Sequence, residues 1–525
     1  MSEIIHGIDR RPLTTGKTLF DYADEVSLAV PQSCGRSGRC RECAVEVRQG
    51  GDQLSPRTDA EEYLPEDFRL ACQATVESDD GDIEFAVIRR RMHILEEAGE
   101  PITEVDPVVT TTEHAVLYEG ITLDMRREHV LGLAIDVGTT TVVFRLIDLT
   151  DGHVVSGGAF ENPQRFGGSD VMSRIGYERD HPGTLRQSLR RALNAGLKDI
   201  YKELGIDRHE VYEAMVVANS TMRDLFFDID VKSIGEMPYK SLTEHAMLRG
   251  EIDSTWVTRR GYELGLLIHP QARVVGAPLI ASHVGGDVAA DLVATDFGSA
   301  PGSSLLIDIG TNTEIVATDG ERIVAASSPA GPAFEGGMLR FGMAGADGAI
   351  EAVHINEDEF VYQVIGDYEP EGICGSGLVD ILAELRRVEW MTPEGRFHDG
   401  GTEYTIAPSR GITFSRSDAS QLAQAKASNA SGQRILLRKL GLDAADVDHV
   451  YLAGGFANAI DIENAIDIGF LAQVKPENVE RVGNSALRGA AMLLLSRRRR
   501  EALSDIIGRI EHVELETEPD FFELF

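Results

Sequence analysis

The chain has 525 residues, with 86 acidic against 50 basic side chains and a formal charge of −36. A polyanion of this size repels nucleic acid and anionic membrane, so neither is an expected partner. The length calls for about two to four domains. No apolar stretch is long enough to span a bilayer, and the opening MSEIIHGIDRRPL lacks a signal-peptide core, so a cytoplasmic location is expected.

Four of the five cysteines fall within the first 72 residues: Cys34, Cys40, Cys43 and Cys72. A large cytoplasmic chain keeps its thiols reduced, which favours metal over disulfides. The spacing is C-x5-C-x2-C, then 28 intervening residues before the fourth cysteine. That is the plant-type [2Fe–2S] pattern with the first gap one residue longer, as in its vertebrate-type relatives. Gly35 and Gly38 stand where a loop converging three thiolates must bend. Residues 43–48 alternate as an edge strand should, residues 82–88 read as another strand, and Pro65 to Cys72 returns the fourth ligand on a short helix or turn. Four thiolates also suit tetrahedral zinc, although zinc ribbons usually pair two CxxC knuckles and only one is present. The spacing favours a [2Fe–2S] ferredoxin domain of α+β, β-grasp type over residues 1–90.

Residues 91–130, entered through Arg89-Arg-Arg, have weak periodicity and read as a linker with at most one short strand. A different pattern opens at Leu131: an apolar strand ending in Asp136, then Gly138-Thr139-Thr140 and a second strand. It recurs 172 positions later as Asp308 followed by Gly310-Thr311-Asn312, the mark of a duplicated domain. Glycine lets backbone N–H groups approach a phosphate, hydroxyls cradle its oxygens, and the preceding Asp can hold Mg²⁺ or its waters. Two such turns facing across a cleft clamp the phosphates of one ATP. A third element, Leu452-Ala-Gly454-Gly455-Phe456, closes another apolar strand, and its glycines permit close packing against an adenosine.

This trio resembles the superfamily of actin, heat-shock chaperones and sugar kinases over about 131–500. The resemblance implies an α/β ATPase of two duplicated RNase-H-like lobes, 131–300 and 301–500, followed by a tail, 501–525. By the same resemblance Asp136 and Asp308 are the Mg²⁺-side carboxylates, Gly138, Thr139, Thr140, Gly310, Thr311 and Asn312 line the phosphates, and Gly454 and Gly455 meet the adenosine.

The fusion of ferredoxin to this ATPase is similar to the reductive activators of corrinoid-dependent methyltransferases. Glu161-Asn-Pro-Gln164, Ala218-Asn-Ser-Thr-Met222, Val284-Gly-Gly-Asp287, Pro329 to Gly337 and Gly372 to Asp380 match that family. The resemblance implies ATP-driven return of a Co(II) corrinoid to Co(I). The partners it implies are a corrinoid protein or methyltransferase and an upstream electron donor, with a homodimer left open. Asp287 and Glu314 are candidates for organising the attacking water, or else structural carboxylates. Three departures stand out. Only about 40 residues separate the halves where the family often has a longer domain, no cysteines exist for C-terminal clusters, and Arg223-Asp224 stands where a His is usual. Cys374 reads as a small buried thiol. Arg497 to Arg500 reads as the solvated, dipole-complementing end of a helix. A small-molecule kinase, an activator of another radical or dehydratase enzyme, and a nucleotide-gated redox sensor are the competing functions.

Overall fold

The computed structural model describes all residues except 1, 7–8, 27, 29, 31, 33, 41, 88–101, 338, 367, 399, 456, 520 and 522–525. Arg89–Arg91 and Phe456, singled out in the sequence, lie outside the described residues.

The first domain is a mixed sheet of β1 (Glu3–His6), β2 (Asp9–Pro12), β3 (Ala44–Gln49), β4 (Phe68–Leu70) and β5 (Ile83–Val87), with one helix, α1 (Leu19–Glu25). The strand order β2-β1-β5-β3-β4, with β1 parallel to β5, gives the β-grasp arrangement. A reciprocal Thr18–Asp21 capping box starts α1. β3 lies between β5 and β4, not at the edge that its alternation suggested; Val45 is fully buried because both of its faces are covered. The fourth cysteine follows a strand, β4, and then a turn. Buried Glu61 anchors that turn, accepting from Arg69 Nε (2.8 Å) and from the Leu70 amide (2.9 Å).

The expected linker is largely folded. β6 (Val109–Thr111), β7 (Ala115–Tyr118) and β8 (Ile121–Met125) form an antiparallel sheet, turned between β7 and β8 by Glu119 and Gly120 at φ 51 and 78. That two-residue turn is the hairpin signal the sequence reading passed over. Val109 and Val116 bury themselves against the next lobe's core.

Lobe 1 is built on β9 (Leu131–Val137), β10 (Thr141–Asp148), β11 (Val154–Glu161), β12 (Val211–Ala218), β13 (Val257–Arg260) and β14 (Arg273–Gly276). Around them lie α2 (Val171–Asp180), α3 (Thr184–Leu204), α4 (Ser220–Phe226), α5 (Leu242–Leu248), α6 (Gly261–Leu264) and α7 (Gly286–Ala294). Lobe 2 repeats the plan with β15 (Ser304–Ile309), β16 (Thr313–Thr318), β17 (Ile323–Ser328), β23 (His449–Ala453), β24 (Val479–Gly483) and β25 (Ile510–His512). Two small sheets are inserted in it: β18 (Ala349–Asn356) with β19 (Glu359–Val364) and β20 (Gly372–Ile373), and β21 (Glu403–Ala407) with β22 (Ile412–Ser415). Helices α8 (Gly375–Arg387), α9 (Arg416–Leu440) and α10 (Ile462–Asp467) belong to it as well. The orders β11-β10-β9-β12-β14 and β17-β16-β15-β23-β24 are the same, three antiparallel strands followed by two parallel ones. Both are RNase-H-like sheets, and the motif-bearing strand is central in each.

The chain ends differ from the expected boundaries. After β24 it crosses to lobe 1, where α11 (Ser485–Leu495) packs on β9, β12 and α7. The approach is so close that a Cβ on Gly489 would lie 2.0 Å from the Ala290 carbonyl oxygen. α12 (Arg497–Ile507) follows, and the supposed tail returns to lobe 2 as β25, parallel to β17, with Leu515 and Phe521 buried. The arginine run also differs from its reading. Ser496 caps α12 through the Arg499 amide (3.2 Å), so the arginines open a helix, at the end where the dipole disfavours cations. Ion pairs offset this. Arg497 meets Asp106 (2.5 Å), Arg499 meets Asp296 (2.8 Å), and Arg500 makes a bidentate pair with buried Glu213 at 3.0 Å to each oxygen. Among the described residues no helix is long and apolar enough to cross a membrane.

Candidate functional site

The cysteine loop bends through left-handed residues: Gly35 at φ 61, Arg36 at φ 64 and Gly38 at φ 75. Arg36 is an unusual residue there, since a Cβ is disfavoured in this region. Its guanidinium sits 4.0 Å from the Phe20 ring centre and pairs with Asp24 (2.5 Å) and Asp21 (3.3 Å) of α1, which over-determines the conformation. The sulfurs form two pairs: Cys43 Sγ lies 3.4 Å from Cys72 Sγ, and Cys34 is hydrogen-bonded with Cys40. Gln73 Nε2 donates to Cys72 Sγ (3.2 Å), as does the Gly38 amide, while Ser37 donates to Cys34. The Ser37 hydroxyl holds the Cys34 thiol down to about 6; the Cys43 thiol, followed by Gln73 and Gly38, does the same for Cys72, also about 6. These hydrogen bonds favour thiolate at Cys34 and Cys72, as a metal-bound sulfur requires, while the Cys72 contact and burial push the Cys43 thiol up. Among the described residues no three His, Cys, Asp or Glu side chains converge on a single point. Two pairs of thiols suit two irons, each with two protein ligands, better than one zinc whose four ligands share a centre.

In the cleft, Asp136 and Asp308 stand at the ends of the central strands β9 and β15, each just before a glycine turn. Asp287 and Asp291 enter from one face of α7, spaced one helical turn apart. Glu314 lies on β16 directly opposite Asp308 in the β-ladder. Asp291 and Glu314 are buried and Asp136, Asp287 and Asp308 half-buried. Burial pushes Asp136 up to about 7, against the lowering hydrogen bond from Asn484 and with added repulsion from Asp287. Burial followed by repulsion from Asp287 and Asp136 takes Asp308 to about 8, and burial takes Asp287 to about 6. Asp291 and Glu314 are also raised, again chiefly by burial. A cluster of raised carboxylates is a setting in which a cation removes the repulsion. That they do not converge tightly suits Mg²⁺, which keeps several waters and takes few direct protein ligands.

The two turns are closely held. Asn162 Nδ2 donates to the Gly138 carbonyl (2.8 Å), Arg174 Nη2 to the Thr139 carbonyl (2.6 Å), and Asn219 Nδ2 to Thr139 Oγ1 (3.0 Å). The Gly310 amide donates to the Asn312 carbonyl (3.0 Å). Across the cleft, Thr140 Oγ1 (3.1 Å) and Thr311 Oγ1 both donate to Glu335 Oε2. Asn484 Nδ2, at the start of α11, donates to Asp136 Oδ2 (2.9 Å). Gly454, at φ 113, lies against the end of β15, where a Cβ would come within 2.2 Å of the Ile309 carbonyl oxygen; Gly455 faces open space. The first turn and the second thus face each other through Glu335, and Gly454 abuts the end of the strand that leads into the second turn.

Asn162, Arg174, Asn219, Asp291, Glu335 and Asn484 were not assigned roles from sequence. Asn162, Asn219 and Glu335 fall in stretches that match the family, and Asp291 lies four residues after Asp287 on an apolar helix; Asn484 had no such signal. The substituted Arg223-Asp224 pair is structural: Arg223 is fully buried, bonded to Asp224 (2.7 Å), the Thr255 carbonyl (2.9 Å) and Thr243 (2.7 Å). Cys374 is buried beside the Ile350 carbonyl and Ser376, both at 3.4 Å.

Comparison with known proteins reads these sites together. Residues 9–77 match the 2Fe-2S iron-sulfur cluster binding domain, 131–300 the RACo middle region, and 302–525 the C-terminal domain of RACo, the ASKHA domain. The chain belongs to the RACo family. In this family the ASKHA domain is the actin-like ATPase fold seen here as paired lobes. The chain is 28% identical to the corrinoid activation enzyme RamQ of Eubacterium limosum, over 96% of this chain and 94% of that one. It is 24% identical to the [Co(II) methylated amine-specific corrinoid protein] reductase of Methanosarcina barkeri, over 74% and 75% of the two chains. A solved structure described as "Reductive activator for corrinoid,iron-sulfur protein" superposes with a TM-score of 0.72 at 27% identity, covering 100% of this chain and 97% of that one. This RACo-family chain therefore carries an N-terminal ferredoxin domain and an actin-like ATPase in one polypeptide.

Proposed function

We propose that this chain is an ATP-dependent reductive activator that returns the Co(II) corrinoid of a partner protein to Co(I). The observation that carries the reading is the union of a four-thiol site in paired geometry with a two-loop carboxylate cleft, in relatives named for corrinoid activation. When bound, a [2Fe–2S] cluster supplies one-electron transfer and MgATP supplies free energy. Cys34, Cys40, Cys43 and Cys72 would hold the cluster, and the Ser37, Gly38 and Gln73 donors stabilise charge on the sulfurs. Asp136 and Asp308 would hold Mg²⁺ through its waters. Gly138 to Thr140 and Gly310 to Asn312 offer amides and hydroxyls to phosphates, and Gly454 and Gly455 offer an apolar edge for adenosine. Asp287 and Glu314 face the same cleft and are suited to orienting a water. A cytoplasmic setting and an upstream one-electron donor complete the proposal.

The test is the growth of the Co(I) absorbance band of a corrinoid protein mixed with reduced activator. MgATP should permit conversion, its omission should slow it strongly, and a nonhydrolysable analogue should support at most one round. Equal rates with and without ATP would reduce the chain to a ferredoxin carrying an unrelated ATPase. Steady phosphorylation of a metabolite would favour a kinase instead.

A further inference from the structure

The cluster domain is docked on lobe 1. Arg165 Nη2 donates to Glu46 Oε2 of β3 (3.2 Å), the Tyr177 hydroxyl donates to the Tyr63 carbonyl, and Arg191 of α3 reaches the Cys40 carbonyl (3.4 Å). Tyr63 and Phe166 meet edge-to-face with ring centres 5.6 Å apart, and Phe166 meets Tyr177 at 5.5 Å. A cavity of about 30 Å³ remains between Cys40, Tyr63 and α3. That is room for a water at the junction.

The residues on the lobe 1 side of this junction also grip the first phosphate loop. Asn162, directly before the 3-10 turn Pro163–Gly167, takes the Gly138 carbonyl through its side chain (2.8 Å) and the Thr140 carbonyl through its amide (2.7 Å). Arg174, on the same helix as Tyr177, takes the Thr139 carbonyl between them (2.6 Å). Three successive carbonyls of the loop are therefore held by one segment. Arg174 also ties that segment to itself, through the Gly168 carbonyl (3.0 Å) and Gln164 Oε1 (3.3 Å). Asn162 and Arg174 are both buried in close-packed surroundings, so a shift of the loop carbonyls is passed on to them.

We propose that the segment 162–177 couples the first phosphate loop to the docking of the cluster domain, so that seating a nucleotide phosphate on the loop loosens the docked ferredoxin. The inference rests on the ATP-dependent reading above and adds to it the regulation of cluster exposure. The driving conflict is visible at Thr140. Its hydroxyl and that of Thr311 both donate to the Glu335 carboxylate. A phosphate and a carboxylate are both anionic acceptors and compete for those donors, so the phosphate moves Glu335 or the loops. The loop's carbonyls carry that movement to Asn162 and Arg174, and the rigid 3-10 turn and α2 carry it to Arg165, Phe166 and Tyr177. Arg165 and Tyr177 are positioning residues, since neither touches nucleotide or sulfur.

The test is hydrogen–deuterium exchange on the full-length, cluster-containing protein with and without Mg-AMPPNP. The nucleotide should protect 138–140 and 310–312 while raising exchange in 59–66, around Tyr63, several-fold. Arg165→Glu should raise exchange in 59–66 without nucleotide, and Glu46→Arg in that background should restore protection. Tyr177→Phe, which keeps the ring, should act in the same direction with an unchanged visible spectrum. Because coupling is reciprocal, Arg165→Glu should also tighten AMPPNP binding, and by no more than the factor by which the nucleotide loosens docking. Protection of both loops with unchanged exchange in 59–66 overturns the coupling and leaves the activator reading standing. Failure of AMPPNP to protect either loop overturns both.

Discussion

Asp136→Asn provides a sharp test of the cleft's electrostatics, because it should stabilise the nucleotide-free protein while abolishing its response to Mg-nucleotide. The change is nearly isosteric, and an Asn oxygen can still accept from Asn484 Nδ2, now 2.9 Å from Asp136 Oδ2. What disappears is a half-buried negative charge that repels Asp287. Asp136 is raised from 3.8 to about 7, so its contribution to stability is full below about pH 4 and is lost as pH rises through 7. The gap corresponds to about 4 kcal/mol at 1.36 kcal/mol per pKa unit. Burying the new amide N–H₂ costs part of this, leaving an expected gain of about 1–3 kcal/mol at pH 8. The advantage should shrink steadily as pH falls toward 4. Chemical denaturation at several pH values between 5 and 8 measures it directly. In parallel, saturating Mg-AMPPNP should stabilise the wild type, by about 2.7 kcal/mol at a hundred times its dissociation constant, and the variant hardly at all. A variant less stable than wild type at pH 8, or a difference independent of pH, would refute the reasoning.

The cluster assignment predicts that purified protein is brown with two irons and two sulfides per chain, and that Cys40→Ser or Cys43→Ser bleaches it; a colourless, zinc-loaded native protein would be decisive against it. Asp308→Ala should lower MgATP hydrolysis by on the order of a hundredfold, yet keep the visible spectrum, since the thiols lie in another domain. Arg500→Ala should cost about 3–5 kcal/mol in urea unfolding, because it leaves the fully buried Glu213 without its bidentate partner. Gly489→Ala should cost about 1–3 kcal/mol by forcing α11 away from the Ala290 carbonyl, and wild-type stability in that variant would contradict the observed helix contact.

What could be read from the sequence was whatever repeats or clusters locally. Asp136 and Asp308 were visible because the strand–turn–strand phrase occurs twice, and the cysteine site because three of its ligands fall within ten residues. The contacts that close the cleft left no such trace. Glu335 meets Thr140 across 195 positions and Asn484 meets Asp136 across 348, and no local pattern encodes which surfaces of two lobes will face each other. The arginine run was misread for a different reason. A single Ser496 between Leu495 and Arg497 ends one helix and caps the next, and an arginine run beyond a cap looks from sequence like a solvated terminus. The segment 109–125 was passed over because its strands are short and β8 has an exposed edge, with Ile121 and Met125 more than 70% exposed. The pattern is half-apolar and weak, although the Glu119-Gly120 turn was there to be read.

The return of α11 to lobe 1 has a consequence for how the protein is made. The sheet of lobe 1 is synthesised by Gly276, but the helix covering one of its faces is finished only at Leu495, 219 residues later. At ribosomal rates of about 5–20 residues per second, that face waits roughly 10–45 s for its cover. During this interval β9 and β12 present an apolar surface to solvent, one suited to holding by a chaperone. A frameshift or early stop between residues 484 and 495 would therefore do more than trim the C-terminus: it would leave the first lobe permanently unfinished.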